Sequence, residues 1–177
     1  MDTSLVELDV LGVRRQGTEN EVVVLLLDLT GRRLLPIVVG PSEGSAIAVG
    51  HAGIKAPRPM THDLLVSVIG ACGAVVTHVE VVGLVEGVFH AAVVLDDGTR
   101  IDARASDAIA LAVRLGCPVL CTPDVLEAAA LPVEGETPAD EVARFRTFLD
   151  TVTPEDFLTE HEPGDDDPDE DGPSTGT

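Results

Sequence analysis

The sequence predicts an α+β fold: a single domain with a mixed or antiparallel β-sheet and several helices packed against it. Three observations carry this expectation. Strand-like runs come in groups, at 4–13, 21–29 and 33–39 and again at 74–84 and 88–95, with isolated helical stretches between the groups rather than strict alternation. The chain is 45% hydrophobic yet only 2% aromatic, without Trp or Tyr, so a sizeable core must be built from Val, Leu, Ile and Ala. Turn residues punctuate the apolar runs at hairpin spacing, most clearly Asp97-Gly98.

Residues 4–13 set Leu5, Val6, Leu8, Val10, Leu11 and Val13 in loose alternation, which predicts a strand. A turn at 16–20 contains Gly17. Residues 21–29 (EVVVLLLDL) are β-branched and almost continuously apolar, the pattern of a strand covered on both faces. Thr30, Gly31 and Arg32 turn the chain into a third strand at 33–39, and the three strands form a meander. Gly40, Pro41, Ser42 and Glu43 stop the sheet and start a helix that ends near Gly53. After a Pro-rich connector at 55–59, Thr61 is the predicted N-cap of a helix over 62–72. Its expected buried stripe is Leu64, Leu65, Val68, Ile69 and Cys72, with Gly73 just past its end. Runs at 74–84 and 88–95, parted by 85–87, lead to a hairpin turn at 96–99 and a short strand at 100–103. Ser106 is the predicted cap of a helix running to Leu115 and ended by Gly116. A strand at 118–121, a short helix at 123–129 and a linker at 131–138 follow. Residues 140–152 (DEVARFRTFLDTV) pattern as an amphipathic helix with Val142, Phe145, Phe148, Leu149 and Val152 on one side.

This organisation divides the 177 residues into an α+β domain over 1–131, a linker and C-terminal amphipathic helix packed on it over 132–157, and a disordered acidic tail over 158–177. The formal net charge is −20, and seven of the negative charges fall in the last 16 residues, which hold no Lys or Arg. No basic face is visible, which argues against holding nucleic acid by broad counterion release. The missing Trp and Tyr exclude the stacking platform of single-strand binders. Nucleic-acid chemistry on this chain must therefore work at a local site. The three cysteines, Cys72, Cys117 and Cys121, have neither the number nor the spacing of a disulfide framework or a zinc knuckle. The first residues, MDTSLVEL, lack a basic and an apolar leader region, and no run approaches the roughly 18 apolar residues of a membrane span. The expected compartment is a reducing cytoplasm. No phosphate-cradling Gly-rich loop with a Lys, nucleophile elbow or His-Glu-x-x-His motif is present, which argues against nucleoside-triphosphate hydrolysis and serine-hydrolase chemistry.

The polar chemistry concentrates at helix starts, where backbone N–H groups face outward and anions bind. Asp63 there is suited to a hard divalent cation, and His62 to proton transfer or a phosphate hydrogen bond. The same dipeptide also reads as ordinary helix-start chemistry, since early acidic residues complement the helix dipole. Asp102, Arg104, Ser106 and Asp107 occupy the exit of a strand and the start of a helix. They offer carboxylates, a fork-shaped cation suited to phosphate and a capping hydroxyl. Here the plain alternative is an Arg104 ion pair that only pins strand to helix. Glu43 adds a third carboxylate at a helix start. Arg58, between Pro57 and Pro59, is held in extended backbone and either reaches a phosphate or is a surface cation. Arg114, seven residues after Asp107 on one helix, lines the site or is solvated.

Three stretches in order, 35–43 (LPIVVGPSE), 57–65 (PRPMTHDLL) and 97–112 (DGTRIDARASDAIALA), resemble the bifunctional nuclease domain family, over about residues 3–157. The trailing helix resembles that of actinobacterial members. The chain departs from the family pattern at Val38, where an aromatic is usual, at Phe89-His90 in place of Phe-Tyr, and at Gly44 and Gly50 in place of Ala. The resemblance implies an α+β domain, a homo-oligomer in the form of a dimer, and nuclease activity on RNA and DNA.

Joined to the residues, this gives a metal-assisted nuclease as the first reading. A divalent cation, Mg2+ or Mn2+, would be held by two or more of Glu43, Asp63, Asp102 and Asp107. Arg104 or Arg58 would steady the developing charge, His62 would move a proton, and Ser106 and Arg114 would help hold phosphate. The second reading is a non-catalytic regulatory module that binds a small anion or a partner on the same fold. A third gives the motifs a purely structural task, capping helices and fixing strand ends.

Overall fold

The computed structural model describes residues 4–133 apart from 17–20, 29 and 31, all within one compact unit, Met1–Gly135. The expected helix over 140–152 and the acidic tail lie outside the described residues. The α+β expectation holds: the described residues form four helices and an eight-stranded mixed sheet, with strand order β6-β5-β4-β7-β1-β2-β3-β8. In chain order these are β1 (Val6–Gln16), β2 (Glu21–Asp28), β3 (Arg33–Val39), α1 (Pro41–His51), α2 (Thr61–Ala71), β4 (Val76–Val85), β5 (Val88–Leu95), β6 (Arg100–Arg104), α3 (Ala105–Leu115), β7 (Val119–Cys121), α4 (Pro123–Ala129) and β8 (Leu131–Pro132). Among the described residues no helix is long and apolar enough to cross a membrane.

The strands β1, β2 and β3 form the expected antiparallel meander. Val22, Val23, Val24 and Leu26 of β2 are all buried, as an uninterrupted apolar run requires. Asp28 ends β2 buried but satisfied: it accepts the Thr30 N–H at 2.8 Å and the Arg33 Nε–H at 3.1 Å, closing the turn into β3. Two tight turns build the second group. Glu86 and Gly87 both take positive φ, 49° and 80°, which matches the twist of a two-residue hairpin between β4 and β5. Gly98 has φ 84° in the turn joining β5 to β6. The two groups are joined by β7, three residues long, which pairs parallel to β4 and antiparallel to β1. With both neighbours in place, Val119 and Cys121 of this strand are buried, and burial pushes the Cys121 thiol pKa up to about 12. That cysteine acts as a small hydrophobe.

The core is one apolar cluster in which Leu26, Leu35, Val79, Val81, Val93 and Val119 of the sheet meet Ile47, Ile109, Leu111 and Leu126 of the helices. Helix α3 is its centre, with seven buried residues. It ends at Gly116 in the left-handed conformation, φ 66°, as the sequence predicts. Helix α1 lies against α3 and the sheet through its glycines. A Cβ at Gly44 would come within 2.3 Å of Val22 Cγ1, and one at Gly50 within 2.7 Å of the Arg114 guanidinium.

Four expectations need correction. Thr61 is the first residue of α2 rather than its cap; Met60 holds the cap position, and its N–H is taken by Asp63 Oδ2 at 2.8 Å. Ser106 lies inside α3, which starts at Ala105 after Arg104, because the chain turns helical directly at the end of β6. Of the stripe expected to bury α2, Ile69 packs on the core, but Leu64, Leu65, Val68 and Cys72 are exposed, and Val66 packs there in their place. The reason is that His62 and Asp63 have polar partners on α3, and those partners fix the rotation of the helix. Finally, Leu131 and Pro132, expected in a linker, add an edge strand to β3.

Candidate functional site

Three helix starts meet beside the end of β6. Pro41 and the fixed extended backbone of Gly40 begin α1 and place Glu43 in its first turn. A Cβ at Gly40 would collide with the Glu43 carboxylate, so glycine lets that side chain fold back over the helix end. The β6-to-α3 turn places Arg104 at the cap position and Asp107 in the first turn. Helix α2 brings His62 from above.

The side chains form a continuous polar row. Arg104 grips Asp107 with two hydrogen bonds, Nε to Oδ2 at 2.6 Å and Nη2 to Oδ1 at 3.0 Å. Its Nη1 donates to Glu43 Oε1 at 3.2 Å. On the far side, His62 Nε2 lies 3.2 Å from Asp107 Oδ1. The row runs along a cleft of about 320 Å3 whose walls include Ser42, Ala46, Met60 and Thr61. Its members differ in access: the Arg104 side chain is 66% exposed, whereas His62 is largely covered. The Arg104 guanidinium, the burial of the carboxyl and the His62 hydrogen bond act together on Asp107, and the net effect holds it below the usual carboxylate range. The same pair raises Arg104 above its ordinary value. Asp107 is thus a fixed anion that orients both a histidine and a guanidinium.

Asp63 and Arg114 belong to a different structure beneath the cleft. Arg114 Nε donates to Asp63 Oδ1 at 2.7 Å, and its Nη1 donates to Ala46 O at 3.0 Å and Ala110 O at 2.8 Å. With a side chain only 7% exposed, Arg114 ties α1, α2 and α3 together. The Asp63 carboxyl is held below its ordinary value by the Met60 N–H and then by Arg114. Asp102 pairs with Ala92 across β5 and β6, and by strand alternation it shares a side with Arg100, whose guanidinium reaches Glu80. It borders a hollow under α2, but among the described residues it makes no ion pair. Arg58 is exposed on its loop. Ser106 lies on the opposite flank of Arg104, almost fully buried.

Of the residues that the sequence brings forward, Glu43, His62, Arg104 and Asp107 therefore come together, and Asp102 lines one hollow with His62, Arg104 and Asp107 without bonding to them, while Asp63 and Arg114 form a separate lock and Arg58 stands apart. This arrangement does not fit a resident divalent ion held by Glu43, Asp63, Asp102 and Asp107. Both oxygens of Asp107 and one of Glu43 already face a guanidinium, and Asp63 faces another. Among the described residues no group of three or more His, Cys, Asp or Glu side chains is placed to hold a metal. Sequence reasoning missed a buried carboxylate, Glu80, which accepts from Arg100 Nη1 at 2.7 Å and lies 3.0 Å from His78 Nε2. Spacing gave one signal, Glu80 and His78 on one side of a strand, but Arg100 joins them only through sheet register.

The fold and the row define a compact α+β domain whose ionisable chemistry is gathered where a strand end and three helix starts converge. The bifunctional nuclease domain family model matches residues 24–134, and the chain belongs to that family. Two proteins of Mycobacterium tuberculosis are similar to it over most of its length: "Uncharacterized protein MT1877" of strain CDC 1551 / Oshkosh and "Uncharacterized protein Rv1829" of strain H37Rv. Each is 41% identical over 159 residues, covering 85% of this chain and 97% of the relative.

Proposed function

We propose that the chain cleaves phosphodiester bonds of RNA or DNA at the row Glu43–Arg104–Asp107–His62. The observation that carries this reading is the 3.2 Å approach of His62 Nε2 to Asp107 Oδ1, beside a guanidinium open to solvent. A carboxylate that accepts a hydrogen bond from one ring nitrogen of an imidazole orients the ring and stabilises its protonated form, which is what a general base requires. Through the ring nitrogen that Asp107 does not hold, His62 takes the proton of the attacking hydroxyl or water as the new P–O bond forms, and passes it to the leaving oxygen as the old P–O bond breaks. Arg104 uses the N–H groups that Asp107 and Glu43 leave free to neutralise the phosphate oxygens as charge builds. Because the row does not fit a resident divalent ion, no step is assigned to one. Charge supports a local site as well: an anionic chain approaches a polyanion most readily where a cation stands outermost, and Arg104 holds that position.

A non-catalytic module remains the competing reading, favoured by the net charge of −20. The deciding experiment incubates purified protein with end-labelled RNA and single-stranded DNA, with chelator and with added Mg2+ or Mn2+. Cleavage that persists in chelator and drops by about 100-fold in both His62→Ala and Asp107→Asn supports the row. Cleavage that needs a divalent ion, or survives both substitutions, removes it; no cleavage under any condition leaves the binding module.

A further inference from the structure

A second hollow, of about 410 Å3, opens on the other flank of Arg104. Val38 at the end of β3 and Val88 and Phe89 at the start of β5 wall it, and the first turn of α3 floors it. Glu43 and Arg104 stand at its rim, so it is continuous with the polar row. Its volume falls in the range of small-molecule sites, roughly 300–1,000 Å3, and is too large for an ion alone.

Ser106 is the telling residue. It is only 8% exposed, it lines this hollow, and among the described residues its hydroxyl has no hydrogen-bond partner. The hydroxyl keeps access to the hollow, so its donor and acceptor capacity is open to whatever occupies that space. The backbone beside it is in the same condition. Helix α3 has no side-chain cap hydrogen bond, which leaves first-turn N–H groups unmet where Ser106 sits. Those donors and Arg104 ask for an anion.

The walls ask for something else. Val38 and Val88 are 63% and 59% exposed, and they face the same hollow from two strands that are distant in sheet order. Phe89 joins them, the single aromatic residue among the described residues. An apolar slot flanked by an aromatic ring suits a flat heterocycle, since every base presents a π-face. Glu43 at the rim adds an acceptor for an amino or hydroxyl group. An anion and a flat heterocycle joined within one ligand of this size describe a nucleotide.

We propose that this hollow binds one nucleotide unit, its phosphate at Ser106, the α3 N-terminus and Arg104, its base between Val38 and Val88 against Phe89. The binding chemistry stands alone. Placing that nucleotide next to the cleaved bond rests on the nuclease reading above.

Calorimetric titration of the full chain tests the proposal with three probes: adenosine 5′-monophosphate, inorganic phosphate and adenosine. The monophosphate binds at least about tenfold more tightly than either half, and Ser106→Ala weakens it about tenfold. Val88→Glu, at an exposed position, reduces the monophosphate to the affinity of phosphate. A monophosphate that binds no better than phosphate, or that ignores both substitutions, overturns the proposal. The arm with His62→Ala separates it from the nuclease reading, because that variant keeps monophosphate affinity even as cleavage is lost. Nucleotide binding in a chain that cleaves nothing leaves the subsite standing and the nuclease reading fallen. Cleavage without nucleotide affinity does the reverse. An oligonucleotide that competes with the monophosphate identifies a strand as the source, and one that does not identifies a free nucleotide.

Discussion

His62 and Asp107 stand 45 positions apart in the chain and 3.2 Å apart in the fold. The neighbour of His62, Asp63, reaches Arg114, 51 positions away. Asp107 and Arg114 are seven residues apart on α3, or about 10.5 Å along its axis. Two adjacent side chains of α2 therefore straddle two turns of α3, one in the cleft and one beneath it. The rotation of α2 is set by these polar partners, and its apolar residues Leu64 and Val68 are left facing outward.

Arg114→Ala should destabilise the domain by about 2–3 kcal/mol, through the loss of hydrogen bonds and packing from a side chain that is almost wholly buried. Asp63→Asn should cost less, because its carboxyl is partly open to water and the Met60 N–H can still bond to the amide oxygen. Urea unfolding of both variants checks the order. Equal losses would mean that the ion pair, rather than the arginine's three-helix contact, holds α2 down.

The same relationship shows what the sequence could and could not reveal. The meander, the Asp97-Gly98 turn and the Gly116 stop were legible because each depends on neighbours in the chain. Glu43, His62, Arg104 and Asp107 were legible as polar residues at element ends for the same reason. That Asp63 would join Arg114 and leave the others was not, since one step along a helix turns a side chain by about 100° and only tertiary contact says which way the helix faces. That Asp102 would border the hollow of His62, Arg104 and Asp107 without joining their hydrogen bonds depends on sheet register, which no local pattern supplies. The central place of β7 is of the same kind: three residues carry little periodicity, and the order of strands is not written in any of them.

Gly44 makes a packing prediction. Alanine is the better helix former, by roughly 1 kcal/mol. At Gly44 that gain should be reversed, because the new Cβ would press on Val22 Cγ1, itself buried in β2. The expected net loss for Gly44→Ala is about 1–2 kcal/mol. Combining it with Val22→Ala should cost less than the sum of the two single changes, as the methyl that blocks the Cβ is gone. Thermal midpoints of the three variants measure this, and strict additivity would place the strain elsewhere.

Glu80 predicts acid sensitivity. Burial pushes its carboxyl up, but the Arg100 and His78 hydrogen bonds and charges pull harder, and the net direction is below the ordinary value of 4.5. A group with a depressed folded pKa gives stability that is fully present above its unfolded value and is lost as pH falls through the folded one. The wild-type chain should therefore lose stability as pH drops below about 4.5, helped by Asp28 and Asp107, which are lowered in the same sense. Glu80→Gln should be less stable at neutral pH and show a shallower slope in this window. A slope as steep as wild type would assign the acid sensitivity to the other carboxyls.

Arg104 separates chemistry from architecture. Its partners Glu43 and Asp107 make it look structural, yet its side chain is mostly in water, and ion pairs so exposed add little to stability. Asp107 would still have His62 in an Arg104→Ala variant, and Glu43 would stay at the solvent-facing start of α1. The fold should accordingly tolerate the change. Cleavage should not: a guanidinium that meets the phosphate as charge develops is worth about 100- to 1,000-fold in rate. Arg104→Lys keeps the charge and loses the two-pronged grip on Asp107, so it should recover only part of the activity. Melting curves and kcat/KM on one RNA substrate, taken together for both variants, distinguish the two roles. An inactive Arg104→Ala that melts like the wild type places this arginine in the reaction, whereas a variant that unfolds early and cleaves normally when folded makes it a clasp between α1 and α3.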